Sequence, residues 1–164
     1  MPFSPLLSRP DLVSAFQRML LQAAGAGQAL SDIETIAAHE NTAVLDQMIN
    51  EANFISLAGF AVQSVVVQKS LEQGMLGILR AVALQTPNLI SLDFIDWQVT
   101  VNGNPVIGLD SIRGPMATIL FPKPTLIPLF KNSVVRIVAT SLQAAPIAHT
   151  TAMLYGNFFP ALGG

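Results

Sequence analysis

A chain of 164 residues, 51% apolar and only 11% charged, with net charge −2 and no cysteine, is one ordinary domain or a small domain with an appendage, long enough to bury a core. Charged residues usually make up about 25% of a soluble domain, so the surplus apolar surface is expected to meet other subunits or proteins. The missing cysteines exclude a disulfide scaffold, thiolate metal sites and thiol catalysis, and the absence of a basic run argues against nucleic-acid binding.

The charge is unevenly spread. Residues 1–51 set Arg9 and Arg18 against Asp11, Asp32, Glu34, Glu40, Asp46 and Glu51, whereas residues 52–164 are mildly basic and carry no charge after Arg136. An acidic N-terminal arm, residues 1–52, followed by an apolar body, residues 53–164, is the expected organisation. Met1-Pro2-Phe3-Ser4-Pro5 lacks a basic segment leading into an apolar run, so no secretory leader is expected. The run from Ala52 to Gln68 includes Asn53, Ser56, Gln63 and Ser64 and falls short of a spanning helix, so no membrane partner is expected.

In chain order, Ser8-Arg9-Pro10-Asp11 reads as a helix start, with Ser8 as cap, Pro10 in the first turn and Asp11 at the positive end of the dipole. Leu12, Val13, Phe16, Met19, Leu20 and Ala23 follow at helical spacing until Gly25-Ala26-Gly27 ends the run. Ser31-Asp32-Ile33-Glu34 reads as a capping box for a second helix, whose apolar side collects Ile33, Ile36, Ala37, Val44, Leu45, Met48 and Ile49. An amphipathic stripe must bury itself somewhere, either on the body of its own subunit or on a neighbour.

From residue 54 β-branched and aromatic residues rise and Gly, Pro and Asn punctuate at short intervals. Strands are expected near 60–68, 75–84, 92–102, 105–109, 116–121, 125–129, 133–140 and 149–159. The best local signal lies in the third: Ile95, Trp97, Val99 and Val101 alternate with Asp96, Gln98 and Thr100, giving one buried and one wet face. Asn102-Gly103 then supplies the two positive-φ residues of a type I′ hairpin, and Pro105 requires the return strand to be short, bulged or at an edge.

Two strands are apolar on both faces. Strict alternation over 75–84 places Leu76, Ile78, Val82 and Leu84 on one side and Leu79, Ala81 and Ala83 on the other. In the last strand Thr150, Ala152, Leu154 and Phe158 oppose Met153, Tyr155 and Phe159. One face packs the core between sheets, and the other needs a helix or a partner subunit. The expected fold is mainly β: an eight-stranded antiparallel, jelly-roll-like sandwich with a short α-helical N-terminal arm.

No chemistry stands out. His39 and His149 are far apart, so no metal site is expected, with His39 solvated on its helix and His149 at a strand edge. Asp93 and Asp96, at odd spacing on one expected strand, fall on opposite faces and cannot flank a glycosidic bond together. No serine occupies a nucleophile elbow and no glycine cluster forms a phosphate loop. Trp97 and Tyr155 could stack on a sugar, but Trp97 lies in the apolar phase of its strand and belongs to the core. Neither an enzyme nor a cofactor is expected.

Four segments in this order carry a resemblance: Gly74-Met75-Leu76-Gly77-Ile78-Leu79-Arg80, Trp97 to Pro105, Ser133 to Ser141, and Leu154-Tyr155-Gly156-Asn157-Phe158-Phe159-Pro160. Read as a series over residues 60–160, the body resembles the small jelly-roll virion accessory proteins of tailed bacteriophages. The resemblance implies a non-enzymatic structural subunit of the virion, often a trimer, on the capsid lattice or at the neck, tail or baseplate. A capsid cement or decoration protein contacting the major capsid protein is the role it favours. Contacts would then fall on the helices, at Leu12, Phe16, Leu20, Ile33, Ile36, Met48 and Ile49, and on the last strand, at Met153, Tyr155 and Phe159. A carbohydrate- or receptor-binding sandwich is the alternative, marked by exposed aromatic rings on one loop end. An enzyme of unfamiliar type would instead show a pocket with perturbed carboxylates.

Overall fold

The computed structural model describes residues 10–40, 47–60, 63–106, 108–113, 117–119 and 121–162. Two helices, α1 (Pro10–Gly25) and α2 (Leu30–Ala38), precede the strands β1 (Gln47–Leu57), β2 (Ser64–Ser70) and β3 (Met75–Gln85). A 3₁₀ turn, Leu89–Phe94, leads into β4 (Ile95–Val101), β5 (Asn104–Pro105), β6 (Ile112–Arg113), β7 (Lys123–Leu129), β8 (Val134–Ser141) and β9 (Ile147–Pro160). The described residues thus hold nine strands rather than the eight expected.

The strands form two antiparallel sheets, one in the order β1-β9-β3-β7 and the other β2-β8-β4-β5, with β6 paired to β4. The pairing is nested: β1 with β9, β2 with β8, β3 with β7 and β4 with β5. The chain therefore behaves as one long hairpin folded over on itself, and Asn102-Gly103 is its tip. Asn102 and Gly103 have φ of 54° and 83°, as a type I′ turn requires. The Asn102 side-chain carbonyl also accepts the Val134 amide at 2.9 Å, tying the tip to the start of β8. A Cβ at Gly103 would meet open space, so Gly103→Ala is expected to cost only the left-handed backbone penalty, about 1 kcal/mol, read as a small shift of the urea midpoint.

The main core lies between the sheets. Leu79, Val82, Leu84, Ala152 and Leu154 from the first sheet meet Ile95, Trp97, Val99, Val135 and Ile137 from the second. The alternation of β4 holds from Ile95 to Val99, with Ile95, Trp97 and Val99 buried and Asp96 and Gln98 half-exposed, but breaks at its end, where Thr100 is buried and Val101 half-exposed. A second cluster lies on the opposite face of the first sheet, where Phe16, Leu20 and Ile36 of the helices pack on Leu76, Ile78, Leu126 and Phe159. The helices thus cover the second apolar face within their own subunit, in a third layer.

Several expectations need correction. The second helix ends at Ala38, and Met48 and Ile49 belong to β1; Val44 and Leu45 lie outside the described residues. Helix-like apolar spacing in this stretch yields to pairing with β9, since strand preference depends on what the strand packs against. β1 also crosses the boundary expected near residue 52. Ser31 does not cap α2: Ala29 is the N-cap, without a side-chain hydrogen bond, and the Ser31 carbonyl instead accepts the Thr35 hydroxyl. Ser8 lies outside the described residues.

Strict alternation also fails in β3. The register against β9 shifts between Leu79 and Ala81, so that Arg80 is the extra residue of a bulge. The phase inverts there, as a bulge requires. Leu76 and Ile78 face the helices, whereas Val82 and Leu84 enter the inter-sheet core. Finally, Asp93 lies in the 3₁₀ turn rather than on a strand, so the opposite-face argument for Asp93 and Asp96 does not apply. Residues 117–119 and 121 are not strand, and the other residues of the strand expected at 116–121 lie outside the described ones.

Candidate contact surface

The ends of β1, β3 and β8 and the starts of β2, β4, β7 and β9 converge on one end of the sandwich, as the pairs Leu57–Ile147, Ile95–Ser141 and Val82–Lys123 require. Backbone bonds lace the loops there. The Phe60 amide donates to the Gln143 carbonyl at 3.0 Å, the Leu142 amide to Phe94 at 2.6 Å and the Leu84 amide to Ala117 at 3.2 Å. Gly59 sits so close to Ala144 that a Cβ would overlap its carbonyl.

This end carries most of the large apolar side chains that face solvent. Phe121 is 79% exposed, Ile90 69%, Phe54 60% and Phe60 59%, with Val65, Phe94 and Leu142 less so. Charges there are few: Asp93, Arg113, which donates to the Asp93 carbonyl at 2.9 Å, and Lys123 at the start of β7. Exposed apolar side chains gathered with few charges mark a surface for another molecule. The opposite end is polar by contrast. Its turns carry Glu72, Lys131 and Asn132, and Lys131 pairs with the buried Asp32 of α2 at 3.8 Å.

No protein-family model and no curated protein matches the chain. Its geometry must therefore speak for itself. The cleft between α1 and β7 holds ≈ 250 Å³ and is lined by Leu12, Met19, Leu109 and Thr125, with Asp11 and Lys123. That is below the roughly 300–1,000 Å³ of small-molecule sites, whereas an open depression of ≈ 350 Å³ between Gln73, Gly74, Lys131 and Asn132 falls within that range. Among the described residues no group of three or more His, Cys, Asp or Glu side chains comes together, and no helix is long and apolar enough to cross a membrane.

The expected contact residues divide into three groups. Phe16, Leu20, Ile36 and Phe159 are buried in the helix–sheet cluster, with Leu12 and Ile33 packed against it; their apolar surface is spent inside the subunit. Met153 and Tyr155 are half-buried on the outer face of β9, where Tyr155 and Leu12 of α1 both pack against Ala81. Met48 and Ile49 are on β1, and their side chains lie outside the described ones.

His39 sits differently from expectation, whereas His149 lies exposed near the start of its strand as expected. His39 is the C-cap of α2, and its ring stacks on Phe159 at 3.8 Å between centroids, so it is not simply solvated. His149 is exposed at a bulge of β9 with φ 53°, its ring 5.6 Å from that of Phe54. Trp97 is in the core as expected, 1% exposed, with no hydrogen-bond partner for its indole N–H among the described residues.

Sequence reasoning missed Arg80. Its guanidinium is 2% exposed, donating through Nε to Asn157 Oδ1 at 2.5 Å and through Nη2 to the carbonyls of His39 and Glu40 at 3.0 and 2.7 Å. A cation at the C-terminal end of α2 also complements its dipole. Arg80 clamps the helical layer to the sheet. The signal was available: one charge inside an otherwise uncharged apolar strand.

Proposed function

We propose that the chain is a non-enzymatic structural subunit of a phage virion, a capsid cement or decoration protein that works by oligomerising, as a trimer, and by bridging neighbouring proteins such as the major capsid protein. The observation that carries this reading is the sparsely charged crown of exposed Phe54, Phe60, Ile90, Phe94, Phe121 and Leu142 at one end of the sandwich. Burying such residues across a contact stabilises an assembly by mass action without chemistry. The nested pairing also supports a jelly roll, since two interlocked Greek keys give the same strand orders. A neck, tail or baseplate position uses the same surface and differs only in the neighbour met.

The test is the mass of the purified chain by sedimentation equilibrium, and its position in a purified particle by electron microscopy. A species of three times 17.4 kDa is expected, with the crown in contact with the shell. Phe60→Ser with Phe121→Ser should weaken attachment while leaving the melting midpoint within about 2 °C, because surface changes are usually small in stability. A monomer that attaches to nothing, or a double variant that attaches unchanged, overturns the reading.

A second reading has one observation in its favour. Exposed rings at one loop end are what a carbohydrate-binding sandwich presents, and Phe54, Phe60, Phe94 and Phe121 are such rings. Sugar recognition also needs polar groups placed beside the ring, and Gln85, Thr86, His149 and Thr151 line a pocket at this end, the His149 ring 5.6 Å from that of Phe54. Saturable binding of a glycan that is lost in the same double variant would favour this alternative.

A further inference from the structure

A sheet edge exposes unpaired N–H and C=O groups and invites another strand unless something blunts it. Most edges of this sandwich are blunted. β7 carries Pro124 and Pro128, which have no amide hydrogen to offer, and β5 is two residues long and ends in Pro105. β2 carries Lys69 and a register shift between Val65 and Val67. β1 differs: it runs for 11 residues without proline, lysine or arginine, and among the described residues it forms sheet pairs only with β9. From Gln47 to Ile55 its pairing with β9 is unbroken, so its other edge is regular over the same stretch.

We infer that β1 pairs antiparallel with β1 of a second copy of this chain, joining two four-stranded sheets into one across a twofold axis at Ala52. A twofold perpendicular to the sheet keeps like faces together, so one residue must stand opposite its own copy. Centring on Glu51 sets two carboxylates directly against each other, which is destabilising. Centring on Asn53 puts Glu51 opposite Ile55. Centring on Ala52 matches the whole strand, Gln47 opposite Leu57, and it places Ile49 opposite Ile55 and Glu51 opposite Asn53. The axis then passes through a small residue. Ala52 and Asn53 are exposed and Phe54 is 60% exposed, and among the described residues no strand other than β9 pairs with β1. The contact adjoins the proposed crown at Phe54, and it would link one trimer to the next.

The chain has no cysteine, so single-cysteine variants report the register directly. In the full-length protein, Ala52→Cys under copper-phenanthroline oxidation should form a disulfide-linked dimer about tenfold faster than Asn53→Cys, or than Ser70→Cys on the blunted β2 edge, because only facing residues meet disulfide distances. Ala52→Lys should raise the dissociation constant of the twofold species about tenfold or more, since like charges directly opposite repel, with the melting midpoint unchanged. If the wild-type chain is trimeric, Ala52→Lys should leave the trimer intact and remove only the doubled species. Cross-linking of Ala52→Cys no faster than of Ser70→Cys, or an association unchanged by Ala52→Lys, overturns the inference.

Discussion

Arg80→Met is expected to lower the unfolding free energy by about 3 kcal/mol, because it strips a buried charged donor from acceptors that keep their places. Arg80 serves Asn157 Oδ1 and the carbonyls of His39 and Glu40 together, and Asn157 is fully buried. Methionine fills much of the volume but offers no hydrogen, so these acceptors lose a donor beneath the helical layer. The measurement is the urea midpoint with its slope, alongside hydrogen exchange of α2. The fall in midpoint should come with faster exchange at the end of α2, since the clamp holds that end to the sheet. Arg80→Lys should recover only part of the loss, because a compact ammonium on one stem does not reproduce a planar fork. Arg80→Met with Asn157→Leu should be less destabilised than the sum of the single changes, since replacing both partners avoids a stranded acceptor. A loss under about 1 kcal/mol for Arg80→Met would place it among ordinary surface hydrogen bonds and end the clamp interpretation.

Gly156→Ala should be as damaging, about 3 kcal/mol or more, although it adds a single methyl group. Gly156 lies in the middle of β9, opposite Leu79 of β3 and beside the Arg80 bulge. A Cβ there would overlap the Ile78 carbonyl, which is backbone and has no rotamer to retreat into. β3 and β9 would have to part at the centre of the four-stranded sheet. Gly77→Ala is the useful comparison. Its Cβ would lie 3.1 Å from the Asn157 carbonyl, tight but within reach of a small adjustment, so its effect should be smaller. Urea denaturation of the two variants side by side gives the ranking, and equal midpoints would show that the sheet relaxes where the geometry says it does not.

Local signals were legible in the chain itself. The alternation Ile95-Asp96-Trp97-Gln98-Val99 and the turn at Asn102-Gly103 depend on side-chain period and on φ alone, and both are where they were expected. The need to cover a second apolar face followed from Leu76, Ile78 and Phe159. The sparsely charged loop segments were visible too, but not their convergence on one end. β1 was hidden because its Gln, Glu and Ala favour helix and Met48 and Ile49 fall at helical spacing, and pairing with β9, some hundred residues away, overrides both.

Composition, turn chemistry and period thus determined a mainly β chain with two amphipathic helices and too much apolar surface for its few charges. Tertiary structure decided what covers that surface. The Arg80 bulge inverts the phase of β3, so its two halves face different layers, and that cannot be read from a strand taken alone because a bulge exists only relative to a partner strand. The helices fold back onto their own sheet, since the apolar stripe and the apolar face that fit each other lie in one subunit. What stays outside is what the loops bring together, and the packing of distant segments alone brings it there.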